Sequence, residues 1–194
     1  MIDVLYESEY EDISFTHIKA ISQDLTNKTF TNCQFTNCDF SQSDFSSTTF
    51  EDCLFKECNL SLSQFNNSKL RTVQFENCKL LGITFSKIDA FIIAMNFKDC
   101  LLQNCNFSDL SLKKGLFQRC KILESDFVNT DLSESDFTYS ILTGTKFINS
   151  NLSKANFSFA KDYEINPLEN KTIKTIVTLP DAVSLLKHFG FAIK

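Results

Sequence analysis

A large apolar residue recurs at every fifth position of this 194-residue chain. Phe30, Phe35, Phe40, Phe45, Phe50 and Phe55 set the register, and Leu25, Leu60, Phe65, Leu70, Phe75, Leu80 and Phe85 extend it. A second block, two residues out of step, runs Phe97, Leu102, Phe107, Leu112, Phe117, Ile122, Phe127, Leu132, Phe137, Leu142, Phe147, Leu152 and Phe157. All 13 positions of each block are filled, and together they hold 16 of the 21 phenylalanines. Period five fits neither regular element. On a helix, at about 100° per residue, every fifth side chain drifts around the surface. On a flat strand, alternate lattice residues would point to opposite faces. The chain must therefore turn once per repeat and aim one large side chain at a common axis.

The other positions of the repeat agree. Two before the large residue stand mostly small residues, such as Cys33, Cys38, Ser43, Thr48, Cys53, Ser125 and Thr130, as a second inward position near a corner requires. One before it, Asp39, Asp44, Asn59, Asn106, Asp126, Asp131 and Asp136 are residues whose side chains bond nearby backbone at turns. The position after it is often Ser, and the outermost position reads as solvated and unrestricted. Four Gly and two Pro are too few for the marked connections of a sandwich or doubly wound fold. A hydrophobic content of 43% excludes a disordered chain. No apolar run approaches the roughly 18 residues of a membrane helix. The N-terminal residues show no basic region followed by an apolar stretch, so no signal peptide is expected.

The blocks Cys38-Asp39-Phe40-Ser41-Gln42, Thr130-Asp131-Leu132-Ser133-Glu134 and Ala155-Asn156-Phe157-Ser158-Phe159 resemble the pentapeptide-repeat motif. The resemblance covers about residues 15–160 and implies an all-β fold, a right-handed quadrilateral β-helix with four repeats per coil. The clear repeats then make about 6.5 coils, a rod roughly 30 Å long at strand spacing, with Phe15 and Ala20 as weaker points of one coil more. In the second block Phe alternates with Leu or Ile, which assigns Phe to two opposite faces. The expected organisation is a β-helix over 1–160, with a register break at about 86–96, and a C-terminal cap and dimerisation segment over 161–194.

Eight cysteines invite disulfide, metal or core readings. All share one phase of the repeat, and pairs such as Cys38 and Cys58 stand one coil apart. Their Cβ atoms would lie about 4.8 Å from each other, beyond the ~3.5–4.5 Å a disulfide prefers. Buried thiols acting as small core residues are the expectation, which points to a reducing, cytoplasmic setting. His17 and His188 are isolated, and no GxSxG, GxGxxG or P-loop pattern occurs, so neither an enzyme nor a cofactor or metal is expected.

Two regions leave the lattice. Ser86–Asn96 is unusually apolar and reads as a re-phasing bulge or as a small projecting corner, with Phe91 and Ile92 available to a partner. After Phe157 come a turn-rich exit, a short strand over Thr172–Val177, and a helix start at Thr178-Leu179-Pro180-Asp181 with Thr178 as its cap. Ala182, Leu185, Leu186 and Phe189 form an amphipathic stripe, Gly190 is a stop, and Phe191 and Ile193 are a possible last strand. Because a β-helix leaves open backbone and apolar surface at its ends, residues about 172–194 are expected to pair two copies, with Ala182, Leu185, Leu186, Phe189 and Phe191 at the dimer interface.

A net charge of −5 argues against direct grip on nucleic acid phosphates. Glu124, Asp126, Asp131, Glu134 and Asp136 form an acidic run without Lys or Arg and are candidate partner-binding residues. The segments Asp162–Pro167 and Thr178–Leu186 are similar to the tails of bacterial pentapeptide proteins that protect type II topoisomerases, among them quinolone-resistance, albicidin-resistance and microcin-immunity proteins. That similarity implies a dimeric rod that imitates duplex DNA, binds gyrase or topoisomerase IV and dislodges a poison. The alternative is a generic β-helical interaction scaffold with no topoisomerase role.

Overall fold

A computed structural model describes residues 5–191. The chain winds into a four-sided parallel β-helix of about eight turns. Each turn takes twenty residues, so Phe15 pairs with Phe35, Phe35 with Phe55 and Phe55 with Phe75. We call the four sides A to D in chain order. Face A carries Tyr10, Phe30, Phe50 and Leu70, then Leu112, Leu132 and Leu152. Face B carries Phe15, Phe35, Phe55, Phe75, Phe97, Phe117, Phe137 and Phe157. Face C carries Ala20, Phe40, Leu60, Leu80, Leu102, Ile122 and Leu142. Face D carries Leu25, Phe45, Phe65, Phe85, Phe107, Phe127 and Phe147. In the second block Phe does occupy the opposite faces B and D.

The bore is filled by stacked rings. On face B eight phenylalanines stack, with centroids 4.6 to 5.3 Å apart. Across the bore the two Phe ladders meet edge to face, as Phe117 and Phe127 do at 5.6 Å and 88°. Both arrangements suit the ring quadrupole. The helix is longer than the clear lattice. Buried Leu5 and Tyr10 begin it, and pairing passes residue 160 through Asn151 with Lys171 to Phe157 with Val177.

The small inward position serves a second purpose besides fitting a corner. Thr48 Oγ1 donates to the Leu25 carbonyl at 2.7 Å, Ser63 Oγ to Phe40 at 2.8 Å and Cys53 Sγ to Phe30 at 3.4 Å. These groups give inward-phase carbonyls one coil below an additional side-chain donor. Asx turns form as expected: Asp24, Asp39, Asp44, Asn59, Asn106, Asp131, Asp136, Asn151 and Asn156 each accept from the N–H two residues on. The outermost position is not unrestricted. Among the described residues 28 non-glycine residues, nearly all at this position, have φ between 49° and 63°, because the chain turns each corner through the left-handed region. Its many Asn and Asp, among them Asn32, Asn37, Asn77 and Asp99, are the residues that tolerate this conformation. Gly82 holds the same left-handed conformation at φ 67°, where glycine carries no penalty.

Across the register break one coil takes 22 residues, with Phe75 paired to Phe97. A 3₁₀ turn at Phe85–Lys87 leads to buried Ile88, and Asp89 accepts the Phe91 N–H at 3.0 Å. Phe91 and Ile92 are exposed, and the coil resumes where the Ala94 N–H meets the Leu70 carbonyl. The ladders continue through the break, with Phe75–Phe97 at 4.9 Å and Phe85–Phe107 at 4.8 Å.

At the C-terminal end only Ile176–Val177 of the expected strand pairs, with Asn156–Phe157. The helix is a 3₁₀ helix over Asp181–Phe189, closed by left-handed Gly190. Thr178 does not cap it. Its Oγ1 accepts from the Phe159 N–H at 2.8 Å, and Pro180 takes the cap position. Phe191 has no strand partner, and Ile193 lies outside the described residues. Among the described residues no helix is long and apolar enough to cross a membrane.

Candidate interaction surfaces

A solenoid converts sequence distance into direction. Residues five apart differ by a quarter turn, whereas residues twenty apart lie one above the other. The acidic run is therefore dispersed. Asp126 lies on face D, Asp131 on face A and Asp136 on face B, with Glu124 and Glu134 at separate corners. Several of these carboxylates are engaged. Asp126 pairs with Lys146 at 3.5 Å, Glu134 with Lys113 at 3.5 Å and Lys114 at 4.0 Å, and Asp136 accepts from Gln118 Nε2 at 2.7 Å.

The acidic surface assembles elsewhere. Face D and its corners carry seven carboxylates, Asp24, Asp44, Asp89, Asp109, Asp126, Glu164 and Glu169, against Lys87 and Lys146, a net of −5. Faces B and C are close to neutral. Face A is bipolar. Its first three coils carry Glu7, Glu9, Glu11, Asp12, Glu51 and Asp52 against Lys28, and its later coils carry Lys69, Arg71, Lys113, Lys114, Lys154, Lys171 and Lys174 against Asp131 and Glu134. The first group sums to −5 and the second to +5, and Arg71 joins them by pairing with Glu51 at 3.6 Å. Face D and the adjoining early part of face A thus form one acidic zone. A stride of twenty along the sequence would have revealed it.

The same stride exposes an aromatic corner. Tyr139 and Phe159 stack in solvent at 4.9 Å, and Leu179 follows them one coil on. One coil before them on the same corner line, Arg119 makes a bidentate pair with Asp99 at 2.7 and 3.0 Å. The guanidinium holds the Asp99 carboxyl below its usual value.

On the helix, Leu185 packs against the core and Ala182 is half-buried, while Leu186, Phe189 and Phe191 are exposed. With exposed Ile173, Ile176 and Leu179 they give this end of the rod an apolar surface. Phe91 and Ile92 project into solvent from the break.

All eight thiols are free and buried. Cys38, Cys58, Cys78, Cys100 and Cys120 form one corner line, in which the Cys38 N–H meets Cys58 Sγ and the Cys58 N–H meets Cys78 Sγ, both at 3.4 Å. Cys78 is kept protonated by its hydrogen bonds to Cys100 and Cys58 and by burial. Burial also pushes Cys53 up to about 12 and Cys105 to about 11. Raised by burial, Cys53 and Cys105 are inert packing elements.

Comparison with known proteins agrees with this geometry. A family model of the pentapeptide repeat region matches residues 28–93, and one of the SV2A/B/C luminal domain matches residues 84–157. No curated protein matches the chain in sequence. Among solved structures, a trypsin-treated form of QnrB1, a plasmid-mediated fluoroquinolone resistance protein, superposes with a TM-score of 0.73 at 19% identity, over 94% of this chain and 99% of that one. A second trypsin-treated form of QnrB1 gives 0.57 at 18% identity, over 93% and 100%. At these identities the likeness establishes the fold.

Proposed function

We propose that this pentapeptide-repeat β-helix binds a bacterial type II topoisomerase, gyrase or topoisomerase IV, and protects it from a poison. The observation that carries this reading is the acidic zone of face D, a row of carboxylates on a rod held stiff by stacked rings. A groove built to hold phosphates is basic, and ordered carboxylates complement it. A rod without hinges gives up little conformational freedom on binding. The likeness in fold to a fluoroquinolone resistance protein supports the choice of partner. In this proposal Phe91 and Ile92 form a secondary contact at the break, and Leu186, Phe189 and Phe191 join two copies into a longer rod. The bipolar face A favours a second reading, a scaffold that holds partners of opposite charge at its two ends.

Supercoiling by purified gyrase, with and without a quinolone, separates the two. The proposal expects inhibition at micromolar protein and recovery of activity in the presence of the drug. Neither effect at that concentration would favour the scaffold.

A further inference from the structure

Between the 3₁₀ helix and the last coils lies a cleft of about 800 Å³ that the charge pattern of the rod does not explain. This size lies within the roughly 300–1,000 Å³ typical of small-molecule sites. One wall comes from the coil, with Asp162 and Glu164. The other comes from the helix, with Asp181, Val183 and Lys187. At the base sits Tyr163, with only 2% of its surface exposed and its ring against Phe157 at 5.7 Å. Its hydroxyl is buried and finds no hydrogen-bond partner. Such a group costs free energy unless something pairs with it.

The surroundings of that hydroxyl define what would pair with it. The Asp181 carboxylate is close enough to add to the effect of burial on the phenol, which is pushed up to about 12, so Tyr163 stays an O–H group at neutral pH. Asp162 already accepts from Thr143 Oγ1 at 3.2 Å. Asp162, Glu164 and Asp181 line the cleft with Lys187 as the one basic group, leaving it negative. Val183, Pro180 and Phe191 add apolar wall.

We propose that this cleft binds a small organic cation, a protonated primary amine on an apolar body. The ammonium group would donate to Tyr163 Oη and to the carboxylates of Asp181 and Glu164, and the apolar body would lie against Val183 and Phe191. A primary ammonium has three N–H donors and no acceptor, which matches one hydroxyl oxygen and two carboxylates. Such charge-assisted bonds are shorter and roughly twice as strong as those between neutral groups. Of the residues offered for dimerisation, Leu186 and Phe189 stand outside the cleft lining and Phe191 is shared with it, and the site does not depend on a topoisomerase partner.

Calorimetric titration of the full chain with phenethylamine, and with phenethyl alcohol as its neutral counterpart, tests the site. The expected result is one saturable site per protomer for the amine and binding at least about tenfold weaker for the alcohol. Tyr163→Phe keeps the ring in the bore and removes the unpaired hydroxyl, so the fold is retained. It should weaken amine binding about tenfold or more, as should Asp181→Asn. No saturation by about 10 mM amine, equal affinity for the alcohol, or unchanged amine affinity in Tyr163→Phe would each overturn the proposal.

Discussion

At the residue scale the repeat assigns each position a separate physical task, and not all of these are equally visible in the chain. The lattice phenylalanines were legible because nothing except a turning chain accommodates period five. The Asx turns were legible because Asp and Asn cluster at one phase. The outermost position was not, because its demand is on the backbone and Lys114, Tyr139 and Leu62 meet it as well as Asn does. This backbone demand yields a prediction. Thr72, β-branched, holds φ of 56°, where such residues are strained. Thr72→Asn should raise stability by about 0.5–1 kcal/mol, read as a higher urea midpoint; a lower midpoint would contradict the corner geometry. The thiols set the alkaline limit. With Cys53 pushed up to about 12 and Cys105 to about 11, the folded chain retains protons that unfolded thiols release above their ordinary 9.0. Stability from these groups is therefore complete below about pH 9 and is lost as pH rises from there towards 12. Urea midpoints that stay level between about pH 9 and 11 would count against deep thiol burial.

At the element scale the unit of structure is the ladder rather than the strand. Strands here are mostly two or three residues long, and none would persist alone. Phe117 lies between Phe97 at 5.2 Å and Phe137 at 4.8 Å, so Phe117→Ala opens a gap in a column that cannot collapse sideways. A loss of about 3–5 kcal/mol in chemical denaturation is expected. The break between Phe85 and Phe97 behaves differently. Its two added residues are taken up outside the bore, because the rings on either side already stack across it. Deleting Phe91 and Ile92 together should leave the melting temperature within a few degrees of the parent, because exposed residues away from special features contribute little. A collapse of the β-sheet circular dichroism signal would show that the loop holds the coil together. The two-residue offset between the blocks makes a break legible in the sequence, but whether it bulges or projects depends on which of Ile88, Phe91, Ile92 and Ile93 turn inward. Ile88 is buried and Ile93 partly so, while Phe91 and Ile92 face water. The C-terminal helix was legible as a helix, but its 3₁₀ form and its cap at Pro180 follow from contacts with the last coil, such as the Phe159 N–H taking the Thr178 hydroxyl.

At the scale of the whole molecule, charge and shape are properties of the coil, not of local sequence. Glu124 to Asp136 reads as one acidic stretch in one dimension, yet the coil spreads it over three faces and its corners. Asp24 and Asp44, unremarkable in sequence, share face D because one turn separates them, and Asp109 stands at a corner of the same face. The same logic gives an assembly prediction. If the apolar end pairs two copies, sedimentation at micromolar concentration should give about twice the 22.2 kDa of the single chain, and Leu186→Asp with Phe189→Asp should return it to that mass. A single-chain mass for the parent would refute the dimer.

The proposed role of face D is tested most directly by displacement of a labelled DNA duplex from gyrase. Asp44→Asn, Asp109→Asn and Asp126→Asn, made together, remove three charges while leaving a carbonyl oxygen in place for the turns. The parent should displace the duplex competitively, and the triple variant should require at least about tenfold more protein. Asp131→Asn with Asp136→Asn should change the midpoint by less than about threefold. Equal losses from the two sets, or no displacement by the parent, would contradict the assignment of the acidic surface to face D.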